Sequence, residues 1–178
     1  EAVVLIGDFR TQIVHNKILF KILHMNETMR LLSKQEQLFI KAHVPFTASL
    51  DYALLNEKNQ LFSEVLSCKN KWILKPEDSY GSKGVYAGVE LEDEEKWKEL
   101  VYQCMDNHYI LQEFVEPYRL ENIDLLQENP AWVSTSNLTG LFVYNNKFSG
   151  IYSRISFDKM ISTQYNEMSI PTVIVKYS

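Results

Sequence analysis

Cysteine is scarce in this sequence, which has only Cys68 and Cys104 among its 178 residues. The two do not stand in CxxC spacing and have no nearby pair of histidines, so nothing indicates a disulfide framework or a zinc site. This cysteine usage fits a reducing compartment. We therefore expect a cytoplasmic protein.

Long hydrophobic runs and an excess of positive charge are missing as well. No apolar run approaches the roughly 20 residues that a transmembrane helix needs. The sequence has 18 Lys and Arg against 23 Asp and Glu, which gives a formal net charge of −5, whereas general nucleic-acid binding requires a basic footprint. We expect neither a membrane nor a nucleic acid as a partner.

Three widespread catalytic motifs are also absent: the GxSxG elbow, the HExxH helix and the GxxxxGK[ST] phosphate loop. The four histidines are scattered along the chain, and single histidines of this kind are usually structural or exposed. A serine hydrolase, a zinc peptidase and a P-loop enzyme therefore find no support in the sequence.

The composition is that of a packed globular protein, with 46% hydrophobic and 12% aromatic residues. The hydrophobic spacing predicts helices and antiparallel hairpins in mixed order, which favours an α+β fold over a doubly wound parallel sheet. The predicted strands lie at residues 2–6, 72–75, 85–90, 109–115, 141–144 and 148–155. The predicted helices lie after Asn16, from Ser33 to about His43, over residues 54–66 and over residues 92–104.

Local signals support several of these elements. Ser33 and Glu36 have the spacing of a helix capping box, and the pair Asn145-Asn146 tolerates the positive φ of a hairpin turn. Residues 118–137 show little periodicity and contain Pro130, so we predict a loop-rich connection there.

The stretch between the predicted strands at 72–75 and 85–90 has the strongest functional signal. Glycines let backbone amides approach an anion closely, and lysines add positive charge, so this loop suits a polyphosphate. An ordinary hairpin with solvated lysines explains the same spacing, and both interpretations stay open on spacing alone. The residues concerned are Lys75, Gly81, Ser82, Lys83 and Gly84.

Two other segments have polar residues that a nucleotide site could use. The strand end Gln112-Glu113-Phe114 could offer backbone groups to an adenine edge and a carboxylate to a ribose. Taken alone, the segment fits an edge strand with one exposed side better, and only its position after the loop favours a nucleotide site. Lys17 stands at a predicted helix start, where amides and the helix dipole favour phosphate. Lys21, one turn further on, fits a solvated basic face better.

Taken in order, four motifs resemble the circularly permuted ATP-grasp family, and within it glutathionylspermidine synthase-like proteins. The resemblance extends over most of residues 1–178 and is weakest at 118–137. The motifs are His15-Asn16-Lys17, the loop at 75–85, Gln112-Glu113-Phe114 and Gly150-Ile151-Tyr152-Ser153-Arg154.

The resemblance implies an ATP-grasp-like α+β fold with mixed or antiparallel sheets and packed helices, in two small lobes of a larger protein. A helical lead-in would occupy residues 1–70, a glycine-loop lobe residues 71–117 and a lobe of hairpins residues 118–178. We interpret the chain as a nucleotide-binding fragment whose partners include the remainder of a longer chain.

The resemblance also implies an ATP-dependent carboxylate–amine ligase. Such an enzyme uses ATP and Mg²⁺ to phosphorylate a small-molecule carboxylate, and an amine then displaces phosphate from the acyl phosphate. By this resemblance Lys17 and Lys75 bind the phosphates, and Gly81, Ser82, Lys83 and Gly84 form a mobile loop over them. Gln112, Glu113 and Phe114 would line the adenine and ribose site, and Arg154 would be a catalytic residue facing the phosphates or the carboxylate.

The magnesium ligands are the missing part of this hypothesis. In the family they precede the Asn-Lys motif, so we expect them upstream of this chain, which alone should be inactive. Asp8 and Glu167 are the remaining acidic candidates, and neither has a metal-site spacing. The alternatives are a degenerate, non-catalytic ATP-grasp-like binding or scaffold module and a purely structural α+β domain.

Overall fold

The computed structural model describes residues 11–52, 60–125, 127–162, 166–173 and 175–176. These residues form a mixed α+β architecture with several helices and two antiparallel four-stranded sheets, which confirms the predicted α+β class. The chain divides into two compact units, Glu1–Val115 and Glu116–Ser178, each containing one of the sheets. Within the described ranges, no helix combines the length and the apolar character needed to cross a membrane.

The first unit contains a small sheet and a set of mostly short helices. Its strands are β1 (Thr47–Ser49), β2 (Trp72–Pro76), β3 (Tyr86–Ala87) and β4 (Tyr109–Glu113), and they lie in the order β1-β4-β2-β3. Its described α-helices are α1 (Thr11–His15), α2 (Ile18–His24), α3 (Asn26–Leu31), α4 (Lys34–His43), α5 (Gln60–Ser67) and α6 (Glu94–Cys104). Single 3₁₀ turns occupy Lys69–Lys71 and Gly88–Glu90.

The hydrophobic core of this unit lies between one face of the sheet and helices α5 and α6. Trp97 of α6 is fully buried, and its indole Nε1 donates a 2.8 Å hydrogen bond to the carbonyl of Val65 in α5. Burial of this kind contributes about 25 cal/mol per Å² of apolar surface. The core cluster consists of Leu50, Val65, Trp72, Leu74, Trp97, Val101, Cys104, Met105 and Leu111.

Because side chains alternate along a strand, the other face of the same sheet is formed by the intervening residues. Ile73 and Lys75 of β2 lie on that face, as do Ile110 and Gln112 of β4. Helix α2 lies against β1, where Nζ of Lys21 donates to Oγ of Ser49. The polar residues of the central strands therefore face away from the core.

The second unit is built around a long antiparallel hairpin. Its strands are β6 (Ala131–Tyr144) and β7 (Lys147–Ser156). Residues 136–144 of β6 pair with β7, with a bulge between Phe142 and Val143. Strand β5 (Tyr118–Asp124) pairs with β6, and β8 (Met168–Ile170) pairs with β7.

Several local predictions are confirmed. The Ser33–Glu36 capping box opens α4, which ends at His43, and Oδ1 of Asn16 accepts a 2.8 Å hydrogen bond from the amide of Ile18 at the start of α2. Helix α6 begins after Asp93, whose side chain accepts from the amide of Glu95. The hairpin turn places Asn145 and Asn146 at φ 49° and 57°, as expected for the pair.

The prediction of a strand over residues 85–90 is wrong beyond Ala87. The chain turns into the 3₁₀ segment Gly88–Glu90, which packs against the 3₁₀ segment Lys69–Lys71. A Cβ at Gly88 would overlap the carbonyl oxygen of Lys69. The Lys69 ammonium also donates hydrogen bonds to the carbonyls of Gly88 and Leu91. This tight contact replaces further strand pairing.

The prediction of a loop-rich connection over residues 118–137 is also wrong. Residues Tyr118–Asp124 form β5, and β6 begins at Ala131. Polar side chains stand on both faces of this part of the sheet, so the sequence lacks the apolar alternation that marks a half-buried strand. The segment is a strand because its backbone pairs with β6 along its whole length.

Other predictions differ in extent or lie outside the described residues. The strand predicted over 109–115 ends at Glu113. The strand predicted at 2–6 and the first half of the helix predicted over 54–66 lie outside the described residues, and the second half corresponds to α5.

Candidate functional site

Lys75 and Gln112 form the centre of the polar face of the first sheet. Nζ of Lys75 donates a 2.7 Å hydrogen bond to Oε1 of Gln112. Nε2 of Gln112 donates in turn to Oγ1 of Thr47, at 2.9 Å, and Gln112 and Thr47 are both buried. The buried network therefore orients the amide oxygen of Gln112 towards the lysine.

Lys17 comes to the same region from the start of α2. Its Nζ donates a 2.7 Å hydrogen bond to the carbonyl of Ser79, at the beginning of the β2–β3 loop. Its backbone amide donates to the carbonyl of Glu77, at 2.9 Å. The fold thus ties Lys17 to the loop that follows Lys75.

The electrostatics of the two lysines are coupled. Burial lowers the pKa of Lys75, and the positive charge of Lys17 lowers it further. Burial also lowers the pKa of Lys17, while Asp78 opposes that shift. Asp78 itself lies 3.2 Å from Nε2 of His15. Within the described part of the chain, no carboxylate forms an ion pair with either lysine.

The start of α2 offers fewer free amides to an anion than the sequence predicted. The amides of Lys17 and Ile18 are occupied by the carbonyl of Glu77 and by Oδ1 of Asn16, and α2 is only seven residues long. Lys17 can therefore act on an anion through its ammonium, whereas these two amides are not available.

The glycine loop is compact. Gly81, Ser82 and Gly84 have φ values of 60°, 58° and 71°, a region in which glycine carries no steric cost. A Cβ at Gly84 would come within 2.9 Å of the Tyr109 hydroxyl. Among the described residues, the backbone amides of Gly81, Ser82 and Gly84 have no hydrogen-bond acceptor. The side chain of Lys83 is exposed at the loop's surface.

The residues predicted to line the adenine and ribose site, Gln112, Glu113 and Phe114, do not form one site. Gln112 faces Lys75, whereas the strand places Glu113 on the opposite face, opposite Trp72 in the ladder. The amides of Glu113 and Phe114 donate to the carbonyls of Phe46 and Lys71, at 2.9 and 2.8 Å. Neither amide is available to an adenine edge.

Glu113 and Phe114 instead line a cavity of about 270 Å³ on the core side of the sheet. Trp72 also lines this cavity, and its buried indole Nε1 has no hydrogen-bond partner among the residues that the structure describes. The remaining lining residues are Glu64, Asn70 and Lys71, and Lys71 forms a 2.8 Å ion pair with Glu64.

In the second unit, Arg154 of β7 forms a close ion pair with Glu167. Nη1 of Arg154 donates to Oε2 of Glu167 at 2.7 Å, and their side chains are 22% and 10% exposed. The guanidinium also lies 5.4 Å from the ring centroid of Tyr152, whose hydroxyl donates to Oε1 of Glu167. Glu167, an acidic candidate in the sequence, therefore acts as the counter-ion of Arg154.

No group of three acidic, histidine or cysteine side chains that could hold a metal ion occurs among the described residues. The other acidic candidate, Asp8, lies outside those residues. The described side chains therefore offer no preassembled set of three metal ligands.

Sequence reasoning missed two contributors to the polar face. Thr47 had no motif to mark it, and Ser79 contributes a backbone carbonyl, which no side-chain pattern reveals. Lys21, interpreted as solvated, is half-buried and bonded to Ser49.

No protein-family model matches this sequence, and no curated protein matches it either.

Proposed function

We propose that the chain is the nucleotide-binding portion of an ATP-dependent carboxylate–amine ligase of the circularly permuted ATP-grasp type. In this proposal Lys17 and Lys75 bind the phosphates of ATP. The observation that supports it is that the two ammonium groups lie close together on one sheet face and, within the described part of the chain, donate to neutral oxygens.

Two like charges that are partly removed from water raise the free energy of the folded protein. In the described residues no carboxylate pairs with them, and the carbonyl of Ser79 and the amide oxygen of Gln112 offset the charge only in part. A bound anion would supply the missing negative charge. The lysines therefore favour an anionic ligand over an empty site.

The loop supports a phosphate as that anion. Its amides at Gly81, Ser82 and Gly84 lack acceptors within the described chain, and Lys17 is bonded to the residue where the loop begins. Successive amides in such turns form concavities for phosphate oxygens. This arrangement agrees with the resemblance to ATP-grasp proteins, where a glycine loop covers the phosphates.

The proposed chemistry of the lysines is electrostatic. As a phosphoryl group moves from ATP to a carboxylate, the two ammonium groups would stabilise the negative charge that it carries. Arg154 remains the candidate for the carboxylate or the phosphates, with its own charge offset by Glu167. The backbone amides of Glu113 and Phe114 already donate to other carbonyls and are not available to an adenine ring. The proposal therefore rests on the lysines and the loop that would bind the phosphates.

Calorimetric titration of the full chain with ATP, with and without Mg²⁺, tests the proposal. Lys75→Met should weaken ATP binding by about tenfold to a hundredfold, since hydrogen bonds to charged groups contribute about 1.5–3 kcal/mol. The matched control is Lys96→Met, an exposed position on α6, which packs on the opposite side of the sheet.

Equal affinity in wild type and Lys75→Met, with normal folding, would exclude this phosphate site. Absence of ATP binding would favour the non-catalytic scaffold module instead.

A further inference from the structure

A third lysine points to the same sheet face. Nζ of Lys21 donates a 2.6 Å hydrogen bond to Oγ of Ser49 in β1, and both side chains are half-buried. Lys21 follows Lys17 by four residues, so the two lie on the same side of the helical segment, one turn apart. The bond to Ser49 fixes the Lys21 ammonium on the sheet.

The strand register relates Ser49 to Lys75. Ile110 of β4 pairs with Ser49 of β1 on one side and with Lys75 of β2 on the other. Directly paired residues in antiparallel strands project their side chains to the same face. Ser49 and Lys75 thus share a face and are two strand spacings apart, about 10 Å.

Three ammonium groups therefore lie along one face, and each is bonded to a neutral oxygen. The acceptors are the carbonyl of Ser79, Oγ of Ser49 and Oε1 of Gln112 for Lys17, Lys21 and Lys75, respectively. Among the described residues, no carboxylate forms an ion pair with any of the three.

Three other described lysines have carboxylate partners, whereas Lys69 also donates to neutral carbonyls. Lys71, Lys98 and Lys159 form ion pairs with glutamates at 2.8, 2.7 and 3.2 Å. The protein has more acidic than basic residues, so acidic partners are plentiful, yet the polar face of the first sheet uses neutral ones. Such a row of charges suits a ligand with several negative groups along its length.

We propose that Lys21 is a third cation of the anion site, and that the site selects an extended polyphosphate chain over a single phosphate. This inference rests on the proposed function, because it extends the site of Lys17 and Lys75. Lys75 and Lys17 bind one part of the chain, and Lys21 binds the part that extends towards Ser49. The residue thereby sets the number of phosphates that the site accepts.

The test is calorimetry on the full chain with orthophosphate, pyrophosphate, tripolyphosphate and ATP. Lys21→Gln should weaken the binding of tripolyphosphate about tenfold and leave the affinity for orthophosphate within about twofold of the wild type. Lys96→Gln should change neither affinity. Lys21→Arg keeps the charge and should retain most of the tripolyphosphate affinity. Thermal unfolding of each variant shows whether it is folded.

A second variant removes the anchor and leaves the charge. Ser49→Ala deletes only the hydroxyl that accepts the hydrogen bond from Lys21. It should weaken the binding of tripolyphosphate by less than Lys21→Gln does. If Lys21→Gln fails to fold, this variant and Lys21→Arg still decide the matter. Unchanged tripolyphosphate affinity in Ser49→Ala together with a full loss in Lys21→Arg would then overturn the inference.

The remaining outcomes separate this inference from the proposed function. If tripolyphosphate binds with dependence on Lys21 but ATP binds no better, the polyanion site stands and the ligase proposal fails. If Lys75→Met weakens ATP but Lys21→Gln leaves tripolyphosphate unchanged, the ATP site stands and this inference is wrong. It is also wrong if Lys21→Gln weakens orthophosphate and tripolyphosphate equally, or if the wild type binds no polyphosphate.

Discussion

Oε1 of Gln112 accepts a 2.7 Å hydrogen bond from Nζ of Lys75, and Nε2 of the same amide donates to Oγ1 of Thr47. Because the amide is neutral, it fixes the position of the ammonium and leaves its charge available to a ligand. Glutamate has nearly the same shape as glutamine and would neutralise that charge.

We therefore expect Gln112→Glu to weaken ATP binding by about tenfold or more, since the new carboxylate would compete with phosphate for Lys75. Calorimetry on the purified chain measures the change. Glu113→Gln is the matched control, because the neighbouring side chain is exposed on the opposite face of the sheet. Equal ATP affinity for Gln112→Glu and wild type would argue against an anion site at Lys75.

The pH dependence of stability gives a second prediction that needs no ligand. Burial, with the charge of Lys17, lowers the pKa of Lys75 below its ordinary value of 10.5. Between the lowered pKa and 10.5 the unfolded chain binds more protons than the folded chain at this residue, so its contribution to the free energy of unfolding rises with pH.

Urea denaturation at several alkaline pH values measures this contribution as the difference between wild type and Lys75→Met. As the pH rises towards 10.5, we expect the free energy of unfolding of the wild type to increase relative to that of Lys75→Met. Lys96→Met, at an exposed position, is the control for replacing a lysine by methionine. A difference that stays flat in Lys75→Met would mean that the Lys75 ammonium is not held in an unfavourable environment.

The elements that the sequence predicted correctly depend on short-range signals. The capping box of α4 involves Ser33 and Glu36, three residues apart, and the hairpin turn involves the neighbours Asn145 and Asn146. The contacts of the candidate site are of another kind. Lys75 reaches Gln112 across 37 positions, and Gln112 reaches Thr47 across 65. They follow from the strand order β1-β4-β2, which no local pattern encodes.

The errors have the same origin. Residues 85–90 have strand propensity, but the contact between Gly88 and the backbone of Lys69 turns the chain after Ala87. Residues 118–124 show no apolar face, yet they form β5 because β6 supplies its hydrogen-bond partners. The sequence also does not show which face of the sheet each residue of β4 occupies, and the strand places Glu113 on the face opposite Gln112.

The Gly88 contact yields a stability prediction. Gly88→Ala should destabilise the first unit by about 1–3 kcal/mol, because the added methyl group overlaps the Lys69 carbonyl, which belongs to the backbone and cannot swing away. Gly150→Ala is the control, since the nearest atom to its added Cβ is a Phe142 ring carbon at 3.9 Å. Thermal and urea unfolding should therefore separate the two variants. Similar midpoints for both would show that the turn at Gly88 can relax.

The ion pair of the second unit gives the last prediction. Glu167→Gln removes the charge that faces Arg154 in a pair whose side chains are only 10% and 22% exposed. Because the poorly solvated guanidinium then faces a neutral amide in place of a carboxylate, we expect a loss of about 1–3 kcal/mol in the free energy of unfolding. Urea denaturation followed by circular dichroism measures this loss.

Glu116→Gln is the matched control for that variant. Its pair with Lys159 has a 3.2 Å separation and side chains that are 63% and 50% exposed, so its removal should cost below about 1 kcal/mol. A double-mutant cycle with Arg154→Met then isolates the coupling between Arg154 and Glu167. A coupling near zero would mean that the pair of Arg154 and Glu167 does not contribute to the stability of the second unit.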